Sequence, residues 1–169
     1  DNTPCNGGLD HKSGTIYSEG DLIYDQPDKK VRIEKDQEII SGSFIKAFAA
    51  DMLISKLKDN HINEALINAG GSTIISFSDH NLPWKVNIPH PFKIKEKAGS
   101  IELINSSFSL SARSENYKII EGKRYSHILN AITGHPTENI QCGVLCKSAF
   151  ISDILSTALC AADELSFEK

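Results

Sequence analysis

No apolar run in this 169-residue chain comes near the roughly 20 residues that a membrane-crossing helix needs, so no span is expected. Nor do basic residues gather among aromatics. Lys and Arg number 18 against 22 Asp and Glu, the net charge is -4, and aromatics are 7% of the chain. Nucleic acid is therefore a poor candidate partner. The opening Asp1-Asn2-Thr3-Pro4 lacks the basic and apolar regions of an export signal, though a removed signal would leave the same start. Cysteine is sparse, and Cys5, Cys142, Cys146 and Cys160 match no zinc spacing. Cys142 and Cys146 would lie on one face of a strand about 13 Å apart, beyond disulfide reach, so core thiols are expected. Repeats and low-complexity segments are absent. What remains, 40% hydrophobic and 24% charged residues in 18.6 kDa, is the composition of one globular domain with a substantial core.

Two segments carry helical periodicity. The first runs from Ser41-Gly42-Ser43 to about Leu57, with Phe44, Ala47, Phe48, Met52, Ile54 and Leu57 as its apolar stripe and Lys46 and Asp51 off it. Ser41 or Ser43 can cap it. The second runs from Phe150 to about Ala162. Strands are expected at 22–24, 31–33, 65–69, 73–77, 84–88, 100–104, 107–110 and 138–147, the last central in its sheet. Residues 65–69 run into Gly70-Gly71, which brings a backbone close to another segment or a ligand. Two helices among about nine strands joined by short turns predict an α+β fold of layered antiparallel or mixed sheets. The chain reads as a single domain, 1–169, with a small lobe at 72–120 as the alternative.

Tyr125 to Pro136 is the densest stretch in chemistry-bearing residues. Ser126, Ile128 and Asn130 alternate with His127, Leu129 and Ala131, which predicts a strand; Thr133-Gly134-His135-Pro136 predicts a turn. Such a strand can hold the His127 imidazole at a cleft edge, or simply bury it. On the second helix, Asp153 and Thr157 are four apart and share a face, with Ser156 beside them. Clustered hard oxygens suit magnesium, especially with substrate phosphates completing the shell. The plainer alternative is that Asp153 only offsets the dipole of an exposed helix start.

Taken in order, Gly7-Gly8-Leu9-Asp10, Gly42-Ser43-Phe44-Ile45-Lys46-Ala47-Phe48-Ala49-Ala50-Asp51, Asn68-Ala69-Gly70-Gly71, Ser114-Glu115-Asn116-Tyr117, Gly122 to Ile128, Thr133-Gly134-His135-Pro136 and Asp153 to Thr157 resemble the FAD:protein FMN transferases, the ApbE-type flavin transferases. The resemblance covers essentially the whole chain and implies that family's α+β fold. It also implies a magnesium-dependent split of FAD, with FMN passing as a phosphoester to a Thr or Ser of an acceptor protein and AMP leaving. Carried across position by position, it implies Mg²⁺ ligands at Asp153 and Thr157, with Ser156 adjacent and the Ser43 carbonyl. It implies FAD contacts at Gly8, Leu9, Asp10, Lys46, Asn68, Gly70, Gly71, Thr133 and Gly134, and a general base at His127, near the flavin phosphates.

The chain departs from the family pattern at several places: Lys46-Ala47-Phe48 for Lys-Gly-Tyr, Ser72 for Asp, Glu115 for Gly, Asn130-Ala131-Ile132 for a segment containing Asp-Pro, and Ile40 for an acidic residue. It also starts close to the Gly-Gly-Leu-Asp motif, so the family's N-terminal region, with part of its FAD surface, is expected to be missing. Two further readings therefore stand beside transfer: an FAD pyrophosphatase releasing FMN and AMP, and a flavin-binding module without turnover. The resemblance implies export, so a periplasmic or cell-envelope location is expected.

Overall fold

A computed structural model describes residues 23–25, 30–33 and 39–162, apart from 94, 115 and 131. Gly8, Leu9 and Asp10, expected at the FAD, lie outside the described residues. Among those described are ten strands and two helices. In chain order they are β1 (Ile23–Asp25), β2 (Lys30–Arg32), α1 (Ile45–Asp59), β3 (Glu64–Ala69), β4 (Thr73–Ser78), β5 (Trp84–Pro89), β6 (Lys97–Leu103), β7 (Ser107–Ala112), β8 (Tyr117–Ile120), β9 (Lys123–Ser126), β10 (Gln141–Cys146) and α2 (Ala149–Ala161). The α+β expectation holds, and every described strand pair is antiparallel.

The main sheet has the order β10-β7-β4-β3; β1-β2, β5-β6 and β8-β9 are separate hairpins. Of the stretch 72–120, β4 and β7 are the two inner strands of the main sheet, and β5-β6 stands outside it. Residues 138–147 form a strand only from Gln141, and that strand is an edge, not the centre. Leu145 shows why: it is 55% exposed, so one side of β10 is not covered as a central strand's would be.

The sheet separates two cores. On the helix side Ala47, Ala50, Ile75 and Ala149 pack together, with Ile54 and Ile67 against them. On the hairpin side Val86, Leu103, Phe108 and Leu110 pack with Ile74 and Ile101. Gly143 belongs to the second: a Cβ there would stand 2.7 Å from the Phe108 ring.

Helix α1 turns inward only part of the stripe expected: Ala47 and Ile54 pack inside, Phe48 and Met52 do not. Ala47, Ala50, Asp51 and Ile54, at helical spacing, meet α2 and the sheet, whereas Phe48 and Met52 are about half exposed. Small alanines let the helix approach closely, which larger side chains on the same face would prevent. Neither serine caps α1: its N-cap position is Phe44, with no side-chain bond.

Asp51 instead caps the other helix. Its Oδ2 accepts from Ser148 Oγ at 2.7 Å and Phe150 N at 3.0 Å, and its Oδ1 from Ala149 N at 2.9 Å. Ser148 Oγ adds a bond from Ile151 N at 3.2 Å. A carboxylate here satisfies free N–H groups and complements the positive end of α2. Asp51→Ala should therefore cost about 1–3 kcal/mol, measured by urea unfolding. An unchanged midpoint would mean that Ser148 alone suffices.

Inside α2, polar side chains point toward the sheet. Ser152 and Ser156 are fully buried and bond to a row of serines on the helix-facing side of β7: Ser152 Oγ lies 3.0 Å from Ser107 Oγ and 2.7 Å from Ser109 Oγ, and Ser156 Oγ 2.9 Å from Ser111 Oγ. Ser109 Oγ also donates to Thr73 Oγ1 at 3.1 Å. Buried hydroxyls are tolerable when each finds a partner. Cys142, Cys146 and Cys160 are free thiols, and burial pushes the Cys160 thiol up to about 12, which makes it a poor nucleophile.

Candidate active site

A cleft of ≈ 530 Å³ opens where the start of α1, the end of β7, the middle of α2 and the chain after β9 converge. Of the residues singled out in the sequence, Ser43, Lys46, His127, Asp153 and Thr157 line it together. Five residues from three separated segments thus reach one cavity.

Asp153 lies in the second turn of α2 and is only 7% exposed. The expected exposed position at the helix start is therefore corrected: α2 begins at Ala149, and one turn later the same face points into the molecule. Burial pushes the Asp153 carboxyl above the usual carboxylate range; a hydrogen bond from Thr73 and the charge of Lys46 pull it partly back. Thr157 Oγ1 donates to the Asp153 backbone oxygen at 3.1 Å and lies 3.3 Å from Ser111 Oγ. Ser156 is behind the cleft, held between Ser111 and the Asp153 carbonyl.

Lys46 approaches from α1 across the Gly70-Gly71 turn. Both glycines have positive φ, and a Cβ on Gly70 would sit 2.9 Å from Lys46 Nζ. The turn is thus a seat for the ammonium group, and Asn68 Oδ1 braces it by accepting from Gly71 N at 2.6 Å. If Lys46 supplies the nearby positive charge, Lys46→Met should raise the titration point of Asp153, read by carboxyl-carbon NMR. No movement would separate the two residues electrostatically.

His127 is not within a strand, although one is expected over Ser126 to Ala131. Strand β9 ends at Ser126, and the next pairing is an isolated bridge between Leu129 and Pro136. The backbone bends because Asn130 Oδ1 accepts from Ile132 N and Thr133 N, both at 2.9 Å, and Gly134 takes φ +69°. Thr133-Gly134 therefore shapes the loop behind the cleft. His127 Nδ1 lies 2.8 Å from Asn116 O, which also accepts from His127 N at 3.2 Å. A carbonyl can only accept, so Nδ1 carries a proton, and in the neutral ring it is Nε2 that keeps the lone pair.

The residues that sequence reasoning left out are mostly positioning residues: Asp51, Thr73, Asn116 and the Ser107-Ser109-Ser111 row. The row had a signal, serine at every second position of a strand, that matches a serine-bearing helix face.

Among the described residues no three of His, Cys, Asp and Glu come together. One buried carboxylate with a threonine hydroxyl and the chain at Ser43 nonetheless fits a hard divalent cation whose remaining ligands are substrate oxygens. A cation would also relieve the cost of burying the ionised Asp153.

A sheet backed by two helices, with a buried carboxylate, a lysine and a clamped imidazole on one pocket, defines an α+β cleft protein. The chain belongs to the ApbE family, whose model matches residues 14–167. It is similar to the FAD:protein FMN transferase of Rhodobacter capsulatus, with 31% identity over 125 residues, 73% of this chain and 24% of that protein. The FAD:protein FMN transferase of Escherichia coli (strain K12) is 29% identical over 118 residues, 68% of this chain and 34% of that protein. Among solved structures, the ApbE protein of Thermotoga maritima has a TM-score of 0.74 at 23% identity, covering 81% of this chain and 45% of that one, and shows the shared fold. The flavinyl transferase ApbE of Pseudomonas stutzeri, in its apo form, has a TM-score of 0.63 at 27% identity over 82% of this chain and 43% of that one. The chain thus spans about a quarter to a third of the length of these curated relatives.

Proposed function

We propose that the protein transfers FMN from FAD to a Thr or Ser hydroxyl of an acceptor protein, releasing AMP. The observation that carries this reading is the pairing, across one cleft, of a cation-ready carboxylate, Asp153, with a histidine whose Nε2 is free to take a proton. The names of the relatives supply the substrate; the cleft supplies the chemistry it would need.

In this mechanism His127 Nε2 takes the proton of the acceptor hydroxyl. The hydroxyl oxygen forms a bond to the phosphorus of the FMN half, the bond from that phosphorus to the bridging oxygen breaks, and AMP leaves with the bridging oxygen. Lys46, held over Gly70, attracts the phosphates and orients them. Asp153, Thr157 and the chain at Ser43 would hold Mg²⁺, which supplies charge neutralisation on the phosphates. Transfer to water instead would give FMN and AMP.

The test is to incubate the protein with FAD, with and without Mg²⁺ and with a Thr-containing acceptor in one arm, and to quantify AMP, FMN and fixed flavin. Magnesium-dependent AMP with flavin on the acceptor is expected. AMP with only free FMN would assign the pyrophosphatase, and FAD binding without AMP in any arm would leave a flavin-binding module.

A further inference from the structure

A second groove, of ≈ 580 Å³, lies against the first. At three places the chain passes between them within one step: Ala112, Asn116 and His127 line the reaction cleft, and their neighbours Arg113, Tyr117 and Ser126 line the second groove. Only the thickness of the backbone separates the two there.

One wall of the groove is all of β9, Lys123 to Ser126, and the other includes the irregular run His135 to Glu138. Four consecutive strand residues can line one groove only if it follows the strand's edge, since their side chains alternate between faces. Among the described residues β9 pairs only with β8 and no other backbone bond reaches residues 123–126, which leaves that edge open there. The hairpin turns on Glu121 and Gly122, both at positive φ. Residues flanking such a two-residue loop bond to each other, so Lys123 and Tyr125 bond toward β8, and His127 N continues that alternation by donating to Asn116 O. The N–H and C=O groups of Arg124 and Ser126 then face the groove.

Its charge runs against that of the molecule. In a chain of net charge -4, counted with histidine neutral, Arg113, Lys123 and Arg124 gather here beside His135, with one acidic residue, Glu138, among the described lining residues. Glu138 meets Arg113 Nη1 at 3.5 Å and is 99% exposed, so it is easily displaced. The Arg124 guanidinium lies over the Tyr117 ring of β8 at 4.5 Å and Lys123 Nζ over Tyr125 at 5.4 Å, so both cations are held against the hairpin that lines the groove.

We propose that this groove takes an extended, acidic segment of the acceptor protein as an added strand on β9, delivering the Thr or Ser beside it to His127. The proposal rests on the flavin-transfer reading, because it is that reaction which requires a polypeptide beside the cleft. Main-chain bonds to β9 give affinity without sequence demands, and Asp or Glu side chains meeting Arg113, Lys123 and Arg124 set the choice of partner. The strand ends one residue before His127, so a segment paired along β9 has its next residues at the catalytic imidazole.

The test is fluorescence anisotropy without FAD, using a labelled peptide with a threonine flanked on both sides by aspartates. Binding should weaken about tenfold when asparagines replace the aspartates, and as much when alternate peptide amides are N-methylated. Lys123→Glu with Arg124→Glu should weaken the acidic peptide about tenfold, Glu138→Gln should tighten it about twofold, and Lys85→Glu, on the β5-β6 hairpin, should change nothing. No binding, equal binding of all three peptides, indifference to the double charge reversal, or displacement by FAD would each overturn the proposal. Flavin fixed on an uncharged Thr-containing acceptor at high concentration, with FAD and Mg²⁺, reads the transfer chemistry separately, so either idea can fail without the other.

Discussion

Asp153→Asn should give a protein more stable than wild type at neutral pH and without magnesium-dependent turnover. The carboxyl is 7% exposed, and burial raises its pKa. For an acid whose folded pKa is raised, the native state binds more protons than the unfolded chain across the interval between the two values. Stability is then greatest below the unfolded value of about 3.9 and falls as pH rises through the folded one. At neutral pH without cation, the ionised group therefore burdens the fold. Asparagine keeps the shape, accepts from Thr73 and carries no charge, so its gain should be about 1 kcal/mol, the usual size when a functional residue is relieved. The same substitution should slow FMN transfer by about a thousandfold, since a bound cation stabilises the transition state by several kcal/mol. Thermal melts between pH 3 and 8, with and without Mg²⁺, check the first part: wild type should regain the difference with Mg²⁺, and the variant should not respond. A variant as active as wild type would remove Asp153 from the cation site.

The Asp153 position illustrates which parts of this protein were legible in the sequence. Asp153 and Thr157 share a helix face whatever the fold, because the helical repeat demands it, and their convergence in one cleft follows. Whether that face pointed outward could not be read from α2 alone. The helix places Ser152, Asp153 and Ser156 inward and leaves Ile151 and Leu155 43% and 44% exposed, the reverse of the usual amphipathic order. Polar residues are stable inside because β7 offers Ser107, Ser109 and Ser111 at matching intervals, a tertiary match that no local window contains. The same holds for α1, where Ala47 and Ala50 were legible as apolar but not as the closest-packed face. Strand β9 was misjudged for another reason: alternation continued through Ala131, but Asn130 accepts two backbone bonds and ends the extended run. Local side-chain bonds of this kind compete with strand pairing.

His127→Ala should slow FMN transfer by about a hundredfold to a thousandfold while leaving FAD affinity within about twofold of wild type. The lower part of the range for general bases is expected because of what orients the ring. Nδ1–H donates to a backbone carbonyl, that of Asn116, at 2.8 Å. A carbonyl fixes the tautomer and the ring plane as well as a carboxylate does, but it brings no full negative charge to stabilise the imidazolium formed when Nε2 takes the proton. The backbone N–H of His127 shares the same oxygen at 3.2 Å, so loss of the ring leaves that oxygen bonded and the loop in place. The variant should therefore fold normally, and the defect should fall on kcat and not on KM for FAD. Added imidazole should restore part of the rate, because alanine leaves room for it beside Asn116. A fall in FAD affinity equal to the fall in rate would instead make His127 a phosphate-binding residue, and unchanged rates would remove it from the chemistry.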